Sequence, residues 1–150
     1  MARLEKMCHL LLQCLHHSLV AGAMRTERFF TTTIAFSPRN NVYIHTQNAV
    51  VRGSARSIHS EPYALQQMHR RGIYADIHII VFCFLTSDCR DYMKTGILPI
   101  GKLAKPCSAC AKCLRCANVA SVHFSNGQNM FEKLQTSTTC APSRGDKNRR

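Results

Sequence analysis

Two short motifs constrain this chain more than anything else in it: His59-Ser60-Glu61 and Pro106-Cys107-Ser108-Ala109-Cys110. The first is H-x-E and the second P-C-x-x-C. Each stands where a helix could open, and an apolar run suited to a strand follows each helix. Either motif alone says little, since H-x-E recurs by chance and C-x-x-C is commonly a structural zinc knuckle. Together, and in this order, they describe one chemistry. A catalytic zinc takes three protein ligands and keeps a fourth position open for water. One imidazole and two thiolates, from His59, Cys107 and Cys110, make up that set. The Glu61 carboxylate, two residues past the histidine, is then left off the metal to move protons. Proline ahead of Cys107 suits the first turn of a helix, where no amide hydrogen is required. Thiols near that positive helix end are favoured as thiolates.

Cys113 and Cys116 extend the second motif to C-x-x-C-x-x-C-x-x-C. A four-thiolate zinc or an iron–sulfur cluster is therefore a competing reading. Helical geometry argues against it. Each step of three residues turns about 300°, so successive cysteines drift by about 60°. Cys107 and Cys116 would point in opposite directions, about 13.5 Å apart along the axis. The intervening alanines, lysine, leucine and arginine are good helix formers. The spacing also departs from the ferredoxin pattern, which ends x3-C-P.

The length of 150 residues suits one domain with a core of its own, and 45% hydrophobic residues support a globular protein. Nine cysteines are many, but four of them hold metal-type spacing, which points to a reducing, cytoplasmic or nuclear setting rather than a disulfide framework. The formal charge of +12, from 20 Lys and Arg against 8 Asp and Glu, favours polyanionic partners such as nucleic acid or nucleotides. No apolar run reaches the roughly 18 residues of a membrane span, so no membrane partner is expected. Ala21-Gly22-Ala23 imitates a signal-peptidase site, yet Gln13, His16 and His17 interrupt the apolar stretch before it. An amphipathic helix over 4–21 explains Leu4, Met7, Leu11, Leu15 and Leu19 better.

Along the chain, 29–36 and 42–45 read as a hairpin around the turn at 37–41. A loop over 46–57, carrying Arg52, Gly53 and Arg56, leads into a helix over 59–71 closed by Gly72. Ile77 to Leu85 is continuously apolar and reads as a strand buried on both faces. The stretch 86–105 is long and irregular, with Asp88, Asp91, Gly96, Pro99 and Gly101, and is expected as a loop near the site. A helix over 106–117 and a strand over 119–124 follow, then an Asn126-Gly127 turn. The pattern at 130–134 suits a helix or a strand equally. The polar, basic stretch 136–150 reads as a disordered tail beyond a domain at 1–135. His78 and His123 lie in strands, where satisfied structural histidines are the simpler reading. Tyr63, Tyr74 and Tyr92 suit base stacking or ordinary packing equally.

Ile58-His59-Ser60-Glu61-Pro62-Tyr63-Ala64-Leu65 and Lys105-Pro106-Cys107-Ser108-Ala109-Cys110 resemble the two metal-binding segments of the cytidine deaminase-like superfamily. Asn118 to Phe124 looks like the strand after its second metal helix, and the similarity spans roughly residues 28–134. The 44 residues between Glu61 and Pro106 are more than many members have. The resemblance implies a three-layer α/β fold with a mixed central sheet and two metal-binding helices. It implies Zn2+ on His59, Cys107 and Cys110, with Glu61 as proton shuttle. It also implies a base- or sugar-contacting role for Asn48, eleven residues before His59. The expected activity is hydrolytic deamination of a cytosine-type base. The charge leans towards a base in a single strand of nucleic acid. A free cytidine, deoxycytidylate or purine substrate and a non-enzymatic four-cysteine metal module are the alternatives. The absence of tryptophan leaves few stacking platforms for a nucleic-acid strand.

Overall fold

A computed structural model of the chain describes residues 2–50, 57–128 and 131–134. The first half contains α1 (Ala2–Ala23), β1 (Phe29–Ser37), β2 (Val42–Gln47), β3 (Ala49–Val50), β4 (Ser57–Ile58) and α2 (Ser60–Arg70). The second contains β5 (His78–Leu85), α3 (Thr86–Thr95), α4 (Ser108–Cys116), β6 (Ser121–Ser125) and β7 (Phe131–Lys133). Five strands form one sheet in the order β2-β1-β5-β6-β7, and β3 and β4 form a separate two-stranded ribbon. Only β5 and β6 run parallel; the other neighbours in the main sheet are antiparallel. A parallel pair needs a long crossover, and this one carries α3 and α4.

Side-chain alternation along β5 explains the layers. Ile79, Val81 and Cys83 join Leu65 and Met68 of α2 and Leu114 of α4 in one core. Phe82 and Phe84, facing the other way, join Cys14 and Leu19 of α1 and Cys89 of α3 in a second. A strand buried on both faces must be apolar over its buried length, which is why Ile79 to Leu85 shows no alternation. The threonines of β1 serve both faces. Thr32 Oγ1 donates to Ser18 Oγ on α1 at 3.0 Å, while the Thr33 and Ser60 hydroxyls share a hydrogen bond of 2.7 Å beneath α2. The result is the three-layer α/β arrangement with a mixed sheet.

Four local expectations change. Part of the 86–105 stretch is helical: α3 sits on the far face, against α1, with His16 Nδ1 2.7 Å from the Tyr92 hydroxyl. Its signals were present in Asp88 in the first turn and Gly96 as a left-handed C-cap at φ 73°. Glycine adopts that conformation at little cost. Pro106 does not open α4. Cys107 holds an extended backbone at φ −65°, ψ 166° and caps the helix, which starts at Ser108. The stretch 46–57 is not loop throughout, since β2 runs on to Gln47 and β3 and β4 pair within it. Phe131–Lys133 forms an edge strand on β6, resolving the ambiguity at 130–134. Arg52, Gly53, Arg56 and the tail at 136–150 lie outside the described residues.

Candidate metal centre

His59 and Cys107 occupy equivalent positions, each the N-cap of a helix on the same face of the sheet. An N-cap side chain ordinarily accepts a hydrogen bond from its own helix. Neither of these does. They turn towards each other instead, and Cys110, one turn into α4, completes a triangle. His59 Nδ1 lies 3.2 Å from Cys110 Sγ and 3.7 Å from Cys107 Sγ. The three ligand atoms all fall within 4.8 Å of one another. A tetrahedral zinc with its usual Zn–N and Zn–S bonds needs edges of about 3.6–3.8 Å. The two edges at His59, 3.2 and 3.7 Å, lie close to those values, and the three residues could hold such an ion.

The fit depends on how α2 is anchored. Ser60, at its first position, is fully buried. Its hydroxyl pairs with Thr33 of β1, and its carbonyl accepts from Thr46 Oγ1 of β2 at 2.7 Å. Two strands therefore fix the start of the helix, and with it His59 and Glu61. Glu61 is 4% exposed, and Ser60 Oγ donates to its Oε1 over a long 3.4 Å. A carboxylate buried this deeply without a cationic partner is costly unless something else in the site stabilises it. A bound dication would do so.

A cleft of about 380 Å³ opens over the triangle, lined by His59, Glu61 and Cys107 among others. Asn48 lines it too, and its Oδ1 is buried with no hydrogen-bond partner among the described residues. Its backbone carbonyl is held by Arg25 Nη1 at 3.3 Å, so the residue is positioned while its amide oxygen stays unsatisfied. Such an orphan is expensive when nothing binds it. Lys105 lines the same cleft on its way into α4.

The thiols depart from one expectation. Burial pushes Cys110 well above the ordinary thiol range, and the nearby Glu61 and Cys107 push in the same direction. The α4 N-terminus does not outweigh these effects. Cys113 is half-buried against the core and Cys116 is exposed. Neither joins the ligand triangle, and among the described residues no four-thiolate group forms.

The cleft also holds residues that motif reading missed. Phe29, Phe30 and Thr31 enter from the start of β1, Cys83 from the end of β5, and Leu103 and Ala104 from the segment before α4. Long-range pairing places them: Lys102 N–H donates to the Cys83 carbonyl at 2.7 Å, and Ala104 N–H to the Ser125 carbonyl at 2.9 Å. None of the three tyrosines reaches the cleft. Tyr92 meets His16, Tyr74 stacks on His69, and Tyr63 lines a different, polar depression beside β2. His78 is a satisfied structural histidine, bonded to Ser121 and Asp76.

No family model and no curated protein matches the sequence. Among solved structures, a cytidine deaminase from Burkholderia pseudomallei is similar in fold, with a TM-score of 0.52 and 15% sequence identity. The match covers 81% of this chain and 92% of that one. The chain therefore has a cytidine deaminase-like fold. No helix among the described residues is long and apolar enough to cross a membrane.

Proposed function

We propose that the protein is a zinc-dependent hydrolytic deaminase acting on a cytosine-type base carried in single-stranded nucleic acid. One observation carries the reading: a buried Glu61 stands beside a His59–Cys107–Cys110 triangle at a cleft. A structural zinc has no need of a buried carboxylate that is not a ligand. Zinc held by the triangle supplies a Lewis acid that makes water nucleophilic near neutral pH.

The chain's own groups do the rest. Glu61 takes the proton of the attacking water and delivers it to the ring nitrogen. It then passes a proton to the departing amine, so water enters, ammonia leaves and the amino-bearing carbon becomes a carbonyl. The unsatisfied Asn48 amide is suited to hold the base or its sugar. Phe29 gives the cleft an apolar wall for the ring.

The nucleic-acid part rests on the charge of +12 and on Lys105 at the cleft. Phe29, 59% exposed, supplies a ring at the cleft of a chain that has no tryptophan. Phosphate contacts release counterions, so binding to an oligonucleotide should weaken with salt at a slope near −0.7 per contact. The test is the mass gain from replacing an amine by an oxygen, followed across cytidine, deoxycytidylate, purine nucleosides and cytosine-containing oligonucleotides. Turnover of the monomers without the oligonucleotide would keep the enzyme and discard the polymer. No turnover of any, with zinc bound, would discard both.

A further inference from the structure

Asn48 lies between two strand ladders and belongs to neither. The β1–β2 pairing ends at Gln47, and the β3–β4 pairing begins at Ala49. A residue left out of strand pairing has no ladder to fix its backbone. Its side chain nevertheless lines the cleft. Arg25, in the turn between α1 and β1, supplies the constraint. Its Nη1 donates to the Asn48 carbonyl at 3.3 Å and to Gln47 Oε1 at 3.1 Å. The other edge of the same guanidinium, Nε and Nη2, grips the Glu27 carboxylate at 3.2 and 2.8 Å. Its central carbon stands 5.8 Å from the centre of the Phe30 ring, within cation–π range. Gln47 is fixed in turn, since its Nε2 donates to the Ser18 carbonyl of α1 at 2.9 Å. The turn that carries Arg25 is braced from behind the sheet. Arg90 of α3 donates to the Ala23 and Arg25 carbonyls at 3.2 and 2.9 Å. The Thr86 hydroxyl, at the start of α3, lies 2.6 and 2.9 Å from the Glu27 and Arg28 carbonyls.

We propose that Arg25 is a positioning residue for the substrate: its guanidinium holds Asn48 in place at the cleft and so sets the pose of the base or sugar without touching either. The inference rests on the deaminase reading of the cleft, with Asn48 as its substrate contact. Arg25 is not among the residues that line the cleft, so it acts through Asn48. Planarity is what the task requires. One rigid fork meets a carboxylate on one edge and two oxygens of consecutive residues on the other. A lysine ammonium keeps the charge but is a single point on a flexible stem, and it cannot serve both edges. Without the fork Asn48 can drift. A displacement of about 1 Å in a group that orients substrate costs on the order of 10²-fold in rate.

Two measurements on the full, zinc-loaded chain test this. The first is the kinetics of Arg25→Lys, Asn48→Ala and the double variant on whichever cytosine substrate the wild type turns over. Each single variant should keep its zinc and lose about 10- to 100-fold in kcat/KM, with the same split between kcat and KM. The double variant should be no worse than Asn48→Ala, because the two residues act as one. A merely structural Arg25 would lower the melting temperature and leave kcat/KM alone, or its loss would multiply with that of Asn48. Either result overturns the proposal. The second measurement is amide NMR, which needs no substrate. Arg25→Lys should shift the Asn48 signals and leave those of α4 in place. Glu27→Gln frees one edge of the fork without touching Asn48, and should shift them the same way by less. It carries the comparison alone if Arg25→Lys does not fold. Asn48 signals that stay put when the fork is loosened overturn the proposal. A wild type that turns nothing over discards the deaminase reading instead, and the NMR still decides whether Arg25 holds Asn48.

Discussion

Cys110 on one face of the sheet and Cys89 on the other are both buried, and they behave alike until their neighbours are considered. Cys110, beneath α2 and α4, is 4% exposed, and Cys89, on α3 across the sheet, is fully buried. Burial raises both thiols, Cys89 to about 11. Neither is reactive by virtue of its own ionisation. The difference is that Cys110 has His59 and Cys107 within ligand range, whereas Cys89 sits among Phe82, Phe84 and aliphatic side chains. The grouping of three potential ligands here is a property of convergence, not of one acidic thiol. The face that achieves it has two helix N-termini aimed at one point and Ser60 bonded to two strands. The opposite face lacks that closure and leaves an apolar groove open.

The sharpest way to break the comparison is to remove each thiol in turn. Cys110→Ala should abolish stoichiometric zinc and, because metal binding adds directly to folding free energy, lower the melting temperature strongly. Cys89→Ala should keep its zinc and lose only the packing of a small side chain, about 1–2 kcal/mol. Cys116→Ala should change neither. Zinc content and melting curves for the three variants decide the matter, and zinc retained in Cys110→Ala would end the three-ligand assignment.

The next effect is on turnover. Glu61→Gln keeps the shape of the side chain but cannot carry the proton. It should retain zinc and fold while deamination falls by about 10²–10⁴. Substantial activity in that variant would return Glu61 to a structural role.

A smaller effect belongs to the far face. A Cβ on Gly22 would collide with the ring of Phe30, which anchors α1 to the sheet. Gly22→Ala should cost about 1–3 kcal/mol through overpacking, read as a lower melting temperature at unchanged zinc content. Zinc loss in step with stability would mean that the two faces are not separable.

The smallest expected effect is electrostatic. The Arg39 backbone N–H, first, and His78, second, hold the Asp76 carboxyl below its ordinary value. Its contribution is therefore complete above that ordinary value and disappears as pH falls through the lower folded one. The group is 28% exposed and sits in an interaction that water screens, so Asp76→Asn should cost less than about 1 kcal/mol. Asparagine also tolerates the left-handed backbone, φ 57°, at this position. Acid unfolding of wild type and variant should converge at low pH.

Local chemistry made much of this protein legible in advance. His59, Cys107 and Cys110 could be singled out as a candidate ligand set, which the structure brings together, because ligand identity and spacing are properties of a few adjacent residues. Helical rotation alone set Cys116 apart from Cys107. The β5 run announced a strand buried on both faces because such a strand has no polar side to show. Tertiary structure decided the rest. Whether α3 would lie beside the site or behind the sheet depended on its docking against α1, which no local pattern encodes. The walls of the cleft, Phe29 and Cys83, come from strand ends that meet only once β1 and β5 pair in register. The upward push on the Cys110 thiol comes first from burial rather than helix position, because desolvation is set by everything packed around a group. Spacing along a chain fixes which atoms can bind an ion; only the folded packing fixes how much water they lose, and what else surrounds them.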